Sequence, residues 1–214
     1  MSRNKYPEQT KKKILEIAFN LFGEKGYEDV VMQDIIDVTG FSRGAVYHHF
    51  KNKNEIMQAV ISELFEQDML FFSEIMEVDL DAITRIDKLV DYIVTSEAKR
   101  EMAYGMWSRK NNMLLYANVT NTIRFAAPAI SKIIEQGISE GVFNTEYSNE
   151  AAEIIMLLFN IWLDPTIHFD TTAEKITKRI EFLLDLLDKI GVPFLSDKSA
   201  EKLNKYYLSF VSHQ

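Results

Sequence analysis

The sequence predicts an all-α protein of about nine to ten helices, because its apolar residues recur at three- and four-residue spacings and do not alternate with polar residues. Only 4 Pro and 8 Gly occur in 214 residues, so few positions interrupt a helix. Hydrophobic residues make up 47% of the chain, which excludes a long disordered protein. We expect a small N-terminal domain, residues 1–55, and a larger helical domain, residues 56–214.

The first helix is predicted to begin at Thr10, its expected N-cap, and to end after Lys25, where Gly26 interrupts it. Its apolar residues follow a helical stripe: Ile14, Ile17, Ala18, Leu21 and Phe22.

The second helix is short and is predicted over residues 31–38, with Ile35 and Val38 facing inward. Gly40 follows it and supplies the permissive backbone that a tight turn requires. The sequence therefore predicts two short helices on either side of a glycine turn.

The third helix is predicted over residues 43–49, with Ser42 as its N-cap. Val46 is expected to face the first two helices, and Phe50 closes the small core. Three polar side chains are then left on the outer side of this helix: Arg43, Tyr47 and His48.

Asn52 and Glu55 have the spacing of a capping box and begin a long amphipathic helix that is expected to reach about residue 76. Pro128 is expected to kink or start a segment, and residues 191–193, Gly-Val-Pro, break the chain before a C-terminal amphipathic tail. Further helices are predicted over residues 82–96, 99–107, 120–140, 149–161, 172–190 and 196–210.

The composition excludes several classes of protein. No Cys is present, so there is no disulfide, no thiolate metal site and no cysteine nucleophile, and cytoplasmic residence is the expectation. No phosphate-binding loop, zinc-protease motif or nucleophile elbow occurs, and His48 and His49 point to different helix faces. We therefore predict no enzymatic activity, no catalytic residues, no metal, no cofactor and no membrane span.

Charge is distributed unevenly along the chain. Residues 1–60 carry nine Lys and Arg against eight Asp and Glu, whereas the remaining residues carry fifteen against twenty-four. A nearly neutral N-terminal segment with clustered cations, followed by an acidic remainder of the chain, is typical of a small phosphate-contacting domain joined to a larger domain. Lys11, Lys12 and Lys13, with Arg3 and Lys5, form either an arm that reaches phosphates or a solvated basic start to the first helix.

The third helix has the features of a recognition helix in a helix-turn-helix. Recognition requires a short helix, held by two others, whose beginning is small or polar enough to enter the major groove. Gly44 and Ala45 add little bulk at consecutive exposed positions, and Arg43 can donate to guanine or phosphate. The alternative is a three-helix capping domain with solvated polar residues.

Three segments resemble the signature of the TetR family: residues 22–28 (FGEKGYE), Asp34 with Ile35, and residues 39–53 (TGFSRGAVYHHFKNK). The resemblance covers residues 10–60 and implies a homodimer whose recognition helices enter the two halves of a palindromic operator in double-stranded DNA. It also implies release by a small-molecule effector that binds the C-terminal domain. The positions that the resemblance implies face DNA or phosphate are Gln33, Ser42, Arg43, Gly44, Ala45, Tyr47, His48, His49 and Lys53.

Two positions depart from the family pattern. Val31 stands where the family commonly has a Thr that caps the second helix, and Ile36 replaces a small Ala. Losing such a cap costs on the order of 1 kcal/mol, and Asp29 is close enough to substitute. A helical ligand-sensing or adaptor protein without operator binding is therefore kept as the alternative function.

The middle helices combine adaptable sulfur side chains with aromatic ones, which permits a pocket for a lipophilic effector, and their acidic residues would suit one that is also cationic. Such residues are more often core. The candidate ligand-binding residues are Glu97, Glu101, Tyr104, Trp107, Tyr116, Phe125 and Trp162.

Two C-terminal segments have the pattern of a dimer interface. Residues 151–162 are apolar around nearly the whole helix, and residues 176–190 carry a seam at four- and three-residue spacing. Pairing with their symmetry copies would form a four-helix interface, and an entirely intramolecular bundle is the alternative. The candidate interface residues are Ile154, Leu158, Ile161, Ile176, Ile180, Leu183 and Leu187.

Overall fold

The computed structural model describes residues 7–95, 112–164, 168 and 172–211. All regular structure in these ranges is helical, which confirms the predicted fold class. The helices are α1 Pro7–Lys25, α2 Met32–Thr39, α3 Arg43–His49, α4 Lys53–Glu77, α5 Ala82–Thr95, α6 Asn112–Asn121, α7 Ala127–Ser139, α8 Ser148–Leu157, α9 Ala173–Lys189 and α10 Asp197–Val211. The predicted helix over residues 99–107 lies outside the described residues. None of the helices that are described is long and apolar enough to cross a membrane.

The chain divides into two compact units, and the division falls inside α4, after Leu70, and not at residue 55. The first turns of α4 belong to the N-terminal unit because Ile56, Met57 and Val60 are buried there, at no more than 3% exposure. A helix can supply apolar residues to one core and then continue beyond it, so the end of a motif does not mark the end of a domain.

Two local predictions about α1 and α2 are wrong. Thr10 is a buried residue inside α1 and not its cap, because the helix already begins at Pro7, where the fixed backbone angle of proline suits a first turn. Val38 is 58% exposed, and Ile36 is buried beside Ile35 instead. At 100° per residue, Val38 lies well away from the direction midway between the two isoleucines.

The predicted cap of α4 forms with a small change of register. The Glu55 N–H donates to Asn52 Oδ1 at 2.9 Å, as a capping box requires. The Glu55 carboxylate, however, accepts from the N–H of Lys51 at 2.7 Å, one residue before the cap. Both contacts satisfy backbone donors at the point where α4 begins.

The core of the C-terminal unit is built from aliphatic residues of α5 and α7–α10, among them Ile86, Ile134, Ile155 and Leu183, each fully buried. Arg85 is also buried, at 7% exposure, and its guanidinium Nε donates to Gln136 Oε1 at 2.8 Å. Its Nη1 also donates to the carbonyl oxygen of Ile75, and these two partners satisfy a cation that would otherwise be costly to bury.

Two π-helical turns interrupt this unit: Thr122–Ala126 before α7, and Leu158–Trp162 after α8. The first widens the helix just ahead of Pro128. In a regular α-helix the ring of this proline would meet the carbonyl four residues back. The disturbance expected at Pro128 is therefore a change of helix type. The two π turns are joined by a hydrogen bond in which Asn160 Nδ2 donates to Thr122 Oγ1 at 3.1 Å.

The second π turn is supported by α10. The Tyr207 hydroxyl donates to the carbonyl oxygen of Phe159 at 2.9 Å and supplies a partner within the wide turn. Burial raises the pKa of Tyr207 well above its ordinary value, so the hydroxyl stays neutral and remains a donor. The start of α10 is held on α5, because the hydroxyls of Ser196 and Ser199 both donate to Asp87 Oδ1.

Candidate nucleic-acid interface

The turn between α2 and α3 depends on Gly40, which has a positive φ of 67°. Its N–H donates to Ile36 O at 3.1 Å, and the Thr39 hydroxyl donates to the same carbonyl at 2.9 Å. A left-handed residue at this point ends α2 and redirects the chain at no steric cost only if it is glycine. The turn therefore fixes the angle at which α3 begins.

The position of α3 is set at its start and at its centre. Ser42 caps the helix as predicted, since its Oγ accepts from the Ala45 N–H at 3.2 Å. Val46 is completely buried and Phe50 is 5% exposed, so the inner side of α3 is anchored in the core of the N-terminal unit. The opposite side is consequently presented to solvent on a rigid support.

The exposed side of α3 carries Arg43, Gly44, Tyr47 and His48. The Arg43 guanidinium carbon lies 5.4 Å from the centroid of the Tyr47 ring, one helical turn away, in a cation–π arrangement. A Cβ built on Gly44 would meet no atom within 4 Å, so the backbone here is open to an approaching molecule. This surface offers a guanidinium, a phenol and an imidazole beside an unobstructed stretch of backbone. Ala45 is half-buried next to it.

His49 differs from the other candidates because it packs inward. It is half-buried, its ring lies 6.4 Å from that of Phe50, and its buried Nε2 atom finds no hydrogen-bond partner among the described residues. Desolvation lowers the pKa of His49 and repulsion by His48 lowers it further, so the ring is neutral at pH 7. A neutral, inward-facing imidazole forms no ion pair with a phosphate.

The start of α2 lacks the side-chain cap that the family pattern supplies. Val31 occupies the N-cap position, is 55% exposed and makes no side-chain hydrogen bond. A side-chain contact at this end comes from Asp34 and not from Asp29: the Val31 N–H donates to Asp34 Oδ2 at 2.8 Å, which satisfies the N–H of the N-cap residue but does not replace the missing side-chain acceptor. Sequence reasoning missed Asp34, although an acidic residue three positions after an N-cap is the signal of half a capping box.

The other cationic and polar candidates fall into two groups. Gln33 is exposed on α2, and its Nε2 donates to Asp37 Oδ1 at 2.7 Å. Lys11, Lys12 and Lys13 are exposed on α1, whereas Arg3 and Lys5 lie outside the described residues. Lys53, by contrast, is half-buried and its ammonium donates to backbone carbonyls of its own domain.

The candidate effector residues are only partly described. Tyr116 is 73% exposed and Phe125 is 46% exposed on this chain, and half-buried Trp162 packs against Phe182 with ring centroids 5.8 Å apart. Glu97, Glu101, Tyr104 and Trp107 lie outside the described residues. The position of an effector site therefore stays a prediction.

The predicted seam on α9 is an internal one. Its four residues are at most 4% exposed on the single chain and belong to the core of their own unit, so they are not available to a second copy: Ile176, Ile180, Leu183 and Leu187. A four- and three-residue spacing predicts a buried face but not which molecule buries it. In the two candidate interface segments, the large apolar residues that stay exposed are Ile154, 49% exposed, and Phe182, 55% exposed. Leu158, Ile161 and Trp162 are half-buried there.

Comparison with known proteins gives two family matches. Residues 14–60 match the family described as bacterial regulatory proteins of the tetR family. Residues 94–183 match a domain described as tetracyclin repressor-like, C-terminal. The two matches together cover more than half of the chain, and the first contains α2, α3 and the start of α4.

Among curated relatives, the probable HTH-type transcriptional regulator ArpR of Pseudomonas putida is 34% identical over 84 residues, which are 39% of this chain and 40% of that protein. The HTH-type transcriptional repressor KstR2 of Rhodococcus jostii is 26% identical over 149 residues, 65% of this chain and 70% of that one. A TetR-family regulator of Pectobacterium atrosepticum is 20% identical, with a TM-score of 0.66 over 89% of this chain and 98% of that one, and shows the same fold.

Proposed function

Because the chain belongs to the TetR family of bacterial regulatory proteins, we propose that it is a transcriptional repressor that binds a palindromic operator as a homodimer and is released by a small-molecule effector. The observation that carries this proposal is the exposed side of α3: a capped and anchored helix whose first turn is open at Gly44 and bears Arg43. A helix with this surface fits the major groove of B-DNA.

The proposed DNA contacts follow from the geometry of α3. Arg43 lies in the first turn, where a recognition helix meets base edges, and a guanidinium can donate two hydrogen bonds to the O6 and N7 atoms of guanine. Tyr47 and His48 lie one turn later and are suited to phosphate or base contacts. In a symmetric dimer the two copies of α3 would meet half-sites about 34 to 36 Å apart.

Replacing Arg43 with Ala should lower the affinity for the operator at least about tenfold without lowering the stability of the protein, because a good bidentate contact is worth about 1–3 kcal/mol and a dimer makes it twice. The measurement is fluorescence anisotropy with duplexes from the region upstream of the protein's own gene, at two salt concentrations. Arg124→Ala is the matched control, since Arg124 is an exposed arginine of the C-terminal unit. Binding by both Arg43→Ala and Tyr47→Ala at the wild-type level would refute the assignment of this surface.

We also propose that the homodimer forms through the apolar residues that α8, the second π turn and α9 leave exposed. Ile154 and Phe182 are both about half exposed, and the ring of Phe182 contacts Trp162. Large apolar residues that remain exposed on a folded chain are typical of interfaces that bury them against a partner. Leu158 and Ile161, half-buried in the same π turn, complete the proposed surface.

Phe182→Asp should weaken the dimer by about 100-fold or more, because each interface would bury two uncompensated carboxylates in place of two aromatic anchors. Sedimentation equilibrium over a range of protein concentrations measures the dissociation constant. Val142→Asp is the control, since Val142 is 44% exposed but lies in the turn after α7, outside the proposed surface. Equal dissociation constants for the two variants would exclude this surface as the interface.

A further inference from the structure

Lys53, the first residue of α4, has its charge directed into its own domain. Its Nζ donates to the carbonyl oxygen of Tyr27 at 2.6 Å and to that of Glu28 at 3.2 Å. The same nitrogen lies 4.3 Å from the centroid of the Tyr27 ring. Both carbonyls belong to the loop between α1 and α2, so one ammonium links that loop to the start of α4.

The surroundings of Lys53 favour an internal role over a contact with DNA. An ammonium has three N–H donors, and two of them are occupied by carbonyls here. The Tyr27 ring covers part of the cation and itself packs on the buried ring of Phe22, with centroids 5.4 Å apart. A phosphate would have to compete with these partners, whereas the neighbouring Lys51 is exposed.

From this geometry we infer that Lys53 is a positioning residue for operator binding: it fastens the α1–α2 loop to α4 and does not neutralise a phosphate. The inference rests on the proposed function, because its effect is on α2. The fastened loop runs directly into Val31, the N-cap of α2 that has no side-chain bond of its own. Holding Tyr27 and Glu28 in place therefore fixes where α2 begins, and with it the position of Gln33.

The salt dependence of binding distinguishes the two roles of Lys53. The plot of log K against log salt has a negative slope, and each phosphate contact adds about 0.9 to its magnitude. A dimer that lost two such contacts would therefore show a slope shallower by about 1.8. Lys53→Met should instead reduce operator affinity about tenfold, through the displaced loop, and leave the slope unchanged. A slope whose magnitude is smaller by about 1.8 in Lys53→Met would overturn the inference.

A pair of substitutions at Tyr27 tests the same contact without changing any charge near DNA. Tyr27→Leu removes the ring over the ammonium and, like Lys53→Met, should lower operator affinity. Tyr27→Phe keeps the ring and the backbone carbonyl and should bind the operator like the wild type. If Tyr27→Leu also binds like the wild type, the ring does not hold Lys53 and the inference fails.

Hydrogen exchange of the free protein separates this inference from the proposed function. In Lys53→Met, the amides of residues 26–31 should exchange about tenfold faster than in the wild type, while those of α10 exchange at the wild-type rate. Unchanged exchange in the loop would show that Lys53 does not fasten it. If the loop loosens but operator affinity is unchanged, the positioning role is refuted. If the wild type binds no DNA, the proposed function fails, and the loop exchange still reports whether the fastening exists.

Discussion

Gly191→Ala is expected to lower the free energy of unfolding by about 3 kcal/mol or more, because the added methyl group meets both backbone strain and a backbone clash. Gly191 lies between α9 and α10 with a φ of 76°, a conformation that side chains disfavour. A Cβ on it would lie 1.8 Å from the carbonyl oxygen of Asn144, a contact that only a shift of the backbone can relieve. That shift would also break the bond from the Asn144 N–H to Gly191 O, now 2.7 Å long.

The matched control for this substitution is Gly141→Ala. Gly141 has nearly the same φ, 77°, but a Cβ on it would meet no atom within 4 Å. Its substitution should therefore cost only the left-handed strain, about 1–2 kcal/mol. Urea denaturation followed by circular dichroism measures both losses, and equal losses would mean that the contact with Asn144 carries no energy of its own.

The structure confirms sequence predictions best where the physical cause is local. The N-cap of α3 was predictable because Ser42 and the Ala45 N–H that it accepts from lie three residues apart. Gly40 was predictable for a similar reason, since a turn between two short helices needs a left-handed residue. These signals fixed the candidate recognition helix from residues 42–49 alone.

The sequence does not predict contacts that join residues far apart in the chain. Ile176 and Leu183 have the spacing of a buried seam, but only the packed chain shows that their own unit buries them. The contact of Lys53 with Tyr27 joins residues 26 positions apart, and no local sequence pattern predicts it. The π turn before α7 is intermediate, because Pro128 predicts a disturbance of the helix but not its form.

The recognition surface itself is tested most sharply by a substitution that should change stability and binding in opposite directions. Gly44→Leu places a larger side chain on the exposed side of α3, where nothing in the free protein obstructs a Cβ. Glycine is roughly 0.8–1 kcal/mol less favourable in a helix than alanine, and leucine is nearly as favourable as alanine, so the free energy of unfolding should rise by somewhat less than that amount. Operator affinity should nevertheless fall by about 100-fold, because the added side chain would occupy space that the helix backbone needs beside the base edges.

Gly44→Ala should give an intermediate loss of affinity, and Gln58→Leu, which adds an exposed leucine on α4, should bind the operator like the wild type. A loss of binding through damage to the fold would be accompanied by a loss of stability, whereas a loss through obstruction of the groove would not. Anisotropy titrations and urea denaturation on the same preparations make that distinction. If Gly44→Leu bound the operator as tightly as the wild type, the first turn of α3 would not lie in the groove, whatever the stability of the variant.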